Sequence, residues 1–196
     1  MNTHHSPYDI DVENYDKTLF GFWLYILTDF IMFATIFATY VVLYGTHVGT
    51  SGKEIFNLPL VLIQTLILLF SSFTAGLGGA AAHKRDKKMT ILLFGLTFLL
   101  GLFFMVVEGI SFNQLIKNGF MWHKNGFLSG YFTLVGTHGL HMLFALLWVL
   151  VLLPPVFRKG LTGLSIKRLT CLRMFWQFLN IVWVFIFTVV YLIGVL

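Results

Sequence analysis

Apolar residues run almost unbroken through five stretches of the chain, separated by short polar clusters. The stretches are about Leu19 to Tyr44, Leu58 to Ala82, Thr90 to Leu115, Phe127 to Leu153 and Cys171 to Leu196. A helix needs about 20 apolar residues to cross a hydrocarbon core of about 30 Å, and each stretch meets that length. Pro59 falls in a first turn, where its missing N–H does no harm, and Pro154 and Pro155 are expected to close the fourth stretch. The pattern predicts an all-α bundle of five transmembrane helices. It divides the chain into a polar tail, residues 1–18, and a single membrane domain, residues 19–196.

Composition agrees with the pattern. Hydrophobic residues make up 58% and charged residues 11%, with 22 Phe, and the mean hydropathy is +0.85. Soluble domains carry roughly 25% charge, so a soluble enzyme, a disordered chain and a disulfide scaffold are all excluded. The single cysteine, Cys171, leaves no internal disulfide and no cysteine metal cluster. The first residues are polar and acidic (Asp9, Asp11, Glu13, Asp16), unlike a secretory signal.

The formal charge of +5 sets topology rather than pointing to a nucleic-acid partner. Five spans put the termini on opposite sides. Lys17, Lys84, Arg85, Lys87, Lys88, Arg158, Lys159, Lys167, Arg168 and Arg173 lie on the N-terminal side, against Lys53, Lys117 and Lys124 on the other. Basic residues gather in cytoplasmic loops, so the N-terminus is expected in the cytoplasm and the C-terminus outside.

Small residues mark expected helix contacts. Ser72, Gly76 and Ala80 repeat every four residues, with Ala75 and Gly79 beside them, and Ala34 and Ala38 do so more weakly. Such spacing lets backbones approach closely.

Few strongly polar groups lie within the spans. Asp29 is ten residues into the first, about 15 Å deep, where a carboxyl must be protonated or paired. It suits a structural anchor or a proton relay. Glu108 is expected about 27 Å along the third span, at the outer interface, facing water, Lys117, Lys124 or a lipid headgroup. His138 and His141, spaced i, i+3, share a face of the fourth span at a depth close to that of Asp29. A three-ligand metal set with Asp29 requires that the first and fourth spans touch. Interhelical hydrogen bonding is the simpler reading. In the fifth span Trp176, Gln177, Asn180 and Trp183 form a polar and aromatic run, with Gln177 and Asn180 on one face. Neither a nucleophile–base couple nor a phosphate loop is seen. From the residues alone, a small proton-coupled transporter using Asp29 and a haem-bearing anchor using His138 or His141 stay as alternatives.

The segments GFWLYILTDFIMFATIFATY, LLFSSFTAG, VVEGISF, GFLSGYFTLVGTHGLHM and FWQFLNIVWVFIFTVVYLIG recur in order in a known family. Through them the chain resembles subunit III of the haem–copper respiratory oxidases, in the five-helix form of the bacterial cytochrome bo-type ubiquinol oxidases. The resemblance covers nearly everything from Phe20 to Gly194. It implies an accessory subunit of a proton-pumping terminal oxidase in the bacterial inner membrane. Such a subunit carries no haem or copper. It packs directly on the catalytic subunit I, alongside subunits II and IV, and holds phospholipid in a cleft between helices. Haems, copper and ubiquinol belong to the catalytic partner. The resemblance places Asp29 at the family's membrane-buried carboxylate, and Glu108, His138 and His141 at its other polar positions. The family commonly has His and Asp where this chain has Gln177 and Asn180, which keep hydrogen bonding but not ionisation.

Overall fold

The computed structural model describes residues 7–44, 58–119 and 126–192. Within them are five long helices: α1 (Pro7–Tyr44), α2 (Leu58–His83), α3 (Lys87–Lys117), α4 (Gly126–Lys159) and α5 (Gly163–Ile186). A π-helical turn, Phe187–Leu192, continues α5. The described residues contain no strand. All five helices are long and apolar enough to cross a membrane.

Helix ends differ from the apolar boundaries where local chemistry extends the helix. α1 starts at Pro7, before the apolar run, because polar turns need no bilayer to stay helical. The fourth helix does not close at Pro154 and Pro155 but continues through them to Lys159. Each proline removes its own N–H bond and crowds the carbonyl four residues back. Beyond them the ladder resumes, and the Lys87 ammonium donates to the Phe157 carbonyl at 2.8 Å. The stop is Gly160, at φ +77°, a left-handed position that favours glycine. α5 starts at Gly163 rather than Cys171. Thr162 caps it by accepting from the Ser165 N–H, so Lys167, Arg168 and Arg173 sit on helical turns. The expected residues 193–196 of this span lie outside the described residues.

α2 and α3 form a tight antiparallel hairpin. Arg85 takes a left-handed φ of 58°, and Asp86 caps α3 by accepting from the Met89 N–H. α2 packs along α3, α5 lies against α4 and α2, and α4 also contacts α1 and α3. α1 rests on α4 and more lightly on α5. α5 is thus the central helix, and its Phe175, Trp176, Leu179, Trp183 and Ile186 are fully buried. Phe20, Trp23, Phe70, Phe73, Leu99 and Phe144 point outward, as lipid permits and water does not. The Lys167 ammonium stands 5.6 Å over the Tyr15 ring, which places the start of α5 at the N-terminal end of the bundle.

The tightest glycine contacts are to side chains, at Gly101 and at Gly79 beside the predicted stripe, where a Cβ would come 2.6 Å from Arg173 Cδ. A Cβ on Gly101 would come 2.5 Å from the Trp176 ring, and one on Gly78 would come 3.1 Å from Phe94. Within the stripe, Gly76 faces Gln177, Ser72 is half-buried and Ala80 is exposed. Ala34 and Ala38 line an open groove against α5.

Candidate functional site

The buried polar side chains occupy two levels. At the first, α1 and α4 touch. His141 Nε2 stands 3.8 Å from Asp29 Oδ2, with both side chains largely buried. His141 Nδ1 is 2.8 Å from the Thr137 carbonyl. A carbonyl only accepts, so Nδ1 carries the proton and Nε2 faces the carboxyl. Asp29 Oδ2 has no hydrogen-bond partner. Phe33, Phe175 and Phe178 surround the pair, with Phe33 5.3 Å from the His141 ring.

His138 does not join them. One turn earlier, it points inward and is fully buried. Its Nε2 donates to the Leu179 carbonyl at 3.2 Å. Its ring lies 5.1 Å from Trp183 and 6.0 Å from Phe104. An i, i+3 pair is separated by about 60° around the axis. On α4 that angle sends one imidazole to α5 and the other to α1. Among the described residues no three His, Cys, Asp or Glu side chains converge on a metal position.

At the second level, Glu108 points into the bundle, where the sequence expectation had it facing water, Lys117, Lys124 or a lipid headgroup. It belongs to the buried face of α3 with Phe104 and Leu115. Gln64 Nε2 donates to Glu108 Oε2 at 3.0 Å. Glu108 Oε1 and Gln64 Oε1 lack partners. The Tyr131 and Tyr191 hydroxyls bond each other at 2.9 Å and stand in electrostatic reach of Glu108. The π-helical turn carries Tyr191, so the extra residue in that turn aims its ring at α4. Lys124, named as a partner for Glu108, lies outside the described residues.

Between the levels runs a ladder that links α2, α3 and α5. Trp176 Nε1 donates to Ser71 Oγ at 3.0 Å, and Trp183 Nε1 donates to Thr65 Oγ1 at 3.1 Å. The Thr74 and Thr97 hydroxyls meet at 2.9 Å. Seven residues separate the two tryptophans, two turns of one helix face. Sequence reasoning found the tryptophans but missed Gln64, Thr65, Ser71, Thr74 and Gly101. The signal was Gln64, Ser71 and Thr74 on one side of α2, seven and three residues apart, with Thr65 next to Gln64.

Asn180 is buried and donates from Nδ2 to Trp176 O of its own helix at 2.9 Å, while its Oδ1 is unpartnered. Gln177 is half-buried at the edge of a groove between α1 and α5. The groove holds two cavities of about 300 Å³ each. The first is lined by Trp23, Ile26 and Phe30 with Met174, Phe178 and Ile181, and the second shares Phe30 and Ile181.

Known proteins share this sequence along nearly its whole length. The family model described as cytochrome c oxidase subunit III matches residues 9–195. A protein of Pseudomonas aeruginosa named cytochrome bo(3) ubiquinol oxidase subunit 3 is 52% identical over 181 residues, 92% of this chain and 87% of that protein. One of the same name from Buchnera aphidicola subsp. Baizongia pistaciae is 44% identical, over 95% of this chain and 97% of the relative. A cytochrome c oxidase subunit 3 of a Bacillus species is 40% identical, over 89% of this chain and 84% of the relative. With five bilayer-length helices, polar groups paired between them and this match, the chain belongs to the cytochrome c oxidase subunit III family.

Proposed function

We propose that this chain is the accessory subunit III of a proton-pumping terminal ubiquinol oxidase, set in a bacterial inner membrane with its N-terminus in the cytoplasm. Its direct neighbour is the catalytic subunit I, and subunits II and IV complete the complex. The haems, copper and ubiquinol belong to that neighbour, and this chain carries no cofactor. It steadies the catalytic subunit and holds phospholipid in the groove between α1 and α5.

The observation that carries this reading is the use of the polar side chains. Asp29 with His141, Gln64 with Glu108, and Trp176 and Trp183 with Ser71 and Thr65 each join two helices. They are spent pairwise on the bundle at separate levels, as in a structural subunit. The names of the relatives at 52% and 44% identity support the quinol-oxidase assignment. The test is purification in mild detergent through a tag on this chain. Haem absorbance and mass spectrometry should reveal an oxidase with its large subunit. A Soret band from the isolated chain, or no co-purifying oxidase, overturns the reading.

A further inference from the structure

Glu108 of α3 has 5% of its surface exposed, and Gln64 opposite it on α2 has 2%. One bond joins them, from Gln64 Nε2 to Glu108 Oε2 at 3.0 Å. The other oxygen of each group, Glu108 Oε1 and Gln64 Oε1, is buried without a partner. No Lys, Arg or His among the described residues pairs with Glu108. The titratable groups that face it are the Tyr131 hydroxyl of α4 and the Tyr191 hydroxyl of the π-helical turn, which bond each other. Tyr40 of α1 stands in electrostatic reach of that pair. From α2 come the uncharged Gln64 and Thr65. On α3 itself the nearest charged side chain is Lys117, nine residues on and exposed.

A carboxylate only accepts hydrogen bonds. Ionised, Glu108 would hold a buried negative charge on a single donor, with Oε1 bare beside the Gln64 carbonyl. Two acceptors would then share one pocket with no proton between them, and a buried charge so weakly compensated is costly far beyond the loss of one hydrogen bond. A protonated carboxyl has what the contact lacks, an O–H donor at Oε1 next to an acceptor at Oε2. The amide of Gln64 offers the complementary donor and acceptor side by side. The two planar groups already meet at one corner, and their terminal torsions are soft, so a small turn closes the second corner. Turning the amide over exchanges its ends and moves the proton to the other carboxyl oxygen, but still requires one.

We propose that Glu108 is protonated inside the bundle and donates to the Gln64 carbonyl, closing a two-bond acid–amide ring that clasps α2 to α3 and opens as the pH rises. The folded chain holds a proton on Glu108 that an exposed glutamate gives up at neutral pH. The clasp is therefore fully formed in acid. Its contribution declines as the pH rises above the ordinary glutamate range, and it ends when the carboxyl ionises within the bundle. A carboxylate then faces the Gln64 carbonyl, and the polar ties left between α2 and α3 are those of Ser71 and Thr74 with Thr97. The clasp belongs to the hairpin itself and holds whichever partner the subunit meets.

The test uses the full chain, purified through a tag together with the subunits that accompany it. Infrared spectra in H2O and D2O report the carbonyl stretch of protonated carboxyls. Glu108→Gln keeps the shape and can still form two bonds to Gln64, so it should fold. It should remove one protonated-carboxyl band. Gln64→Leu should shift that band to higher frequency, where a carboxyl without an acceptor absorbs. Denaturant unfolding of the chain is then followed against pH. Relative to Glu108→Gln, the wild-type folding equilibrium should weaken by up to about ten-fold for each pH unit of rise over which the carboxyl titrates. A spectrum that loses no protonated-carboxyl band in Glu108→Gln overturns the proposal. So does a band that Gln64→Leu leaves in place, which would assign the acceptor to a bound water or a tyrosine. A pH profile identical in wild type and Glu108→Gln overturns it as well. If Gln64→Leu fails to assemble, the two Glu108→Gln readings decide the matter.

Discussion

His141 Nε2 faces Asp29 Oδ2 across the α1–α4 contact at 3.8 Å, with the opposite ring nitrogen tied to the Thr137 carbonyl. This polar contact helps to hold α1, which also rests on apolar contacts at the edge of the bundle and on Lys167 over the Tyr15 ring. Asp29→Ala should loosen that helix by about 1–2 kcal/mol, the range for a polar contact between membrane helices. The check is a lower dissociation temperature of the purified complex. Asp29→Asn keeps the shape and should lose less. Proton-coupled uptake by the reconstituted chain that Asp29→Asn abolishes would instead favour a transporter.

Glu108 and Gln64 form a buried hydrogen bond between α2 and α3. Glu108→Ala leaves the Gln64 amide buried without its acceptor and should cost about 1–3 kcal/mol. Glu108→Gln retains an acceptor oxygen and should cost less than about 1 kcal/mol. Replacing both residues by leucine should recover part of the loss, because no polar group then remains unpaired. A double-mutant cycle on denaturation of the complex measures the coupling. Additive losses would show that the bond does not contribute.

The two indole bonds make a second cycle. Trp176→Phe and Ser71→Ala should each lose about 1 kcal/mol and be strongly non-additive together, since each removes the same bond. Trp183→Phe and Thr65→Ala should behave alike. The cross pair Trp176→Phe with Thr65→Ala should be closer to additive.

Glycines distinguish contact from mere flexibility. Gly101→Ala drives a methyl into the Trp176 ring and should destabilise by about 1–3 kcal/mol. Gly95→Ala meets nothing within 4 Å on the same helix. It should be neutral or stabilising by up to about 1 kcal/mol, through the better helix propensity of alanine. Thermal melts of the two variants side by side test the contrast.

How far the site could be read in advance is clear from particular residues. Asp29, His138 and His141 stand out as polar groups in an apolar run, and their depths follow from a rise of 1.5 Å per residue. Their partners do not. Asp29 meets His141 only because α1 lies on α4, and His138 turns inward only because α5 fills the centre. Glu108 shows the same limit. Its height along α3 was legible, but its burial depends on Gln64 of another helix. Pro154 and Pro155 misled because hydropathy and proline alone ignore the glycine that ends α4.

By itself the sequence determined the five spans, their all-helical nature and the scarcity of charge within them. These follow from backbone hydrogen bonding in hydrocarbon, which leaves a long apolar segment only the helix. Tertiary structure alone decided which polar groups pair, which glycine admits the Trp176 ring and where Arg173 Nε is buried without an acceptor. Those outcomes depend on rotation of each helix about its axis and on which helices adjoin. Both are set by packing between segments far apart in the chain.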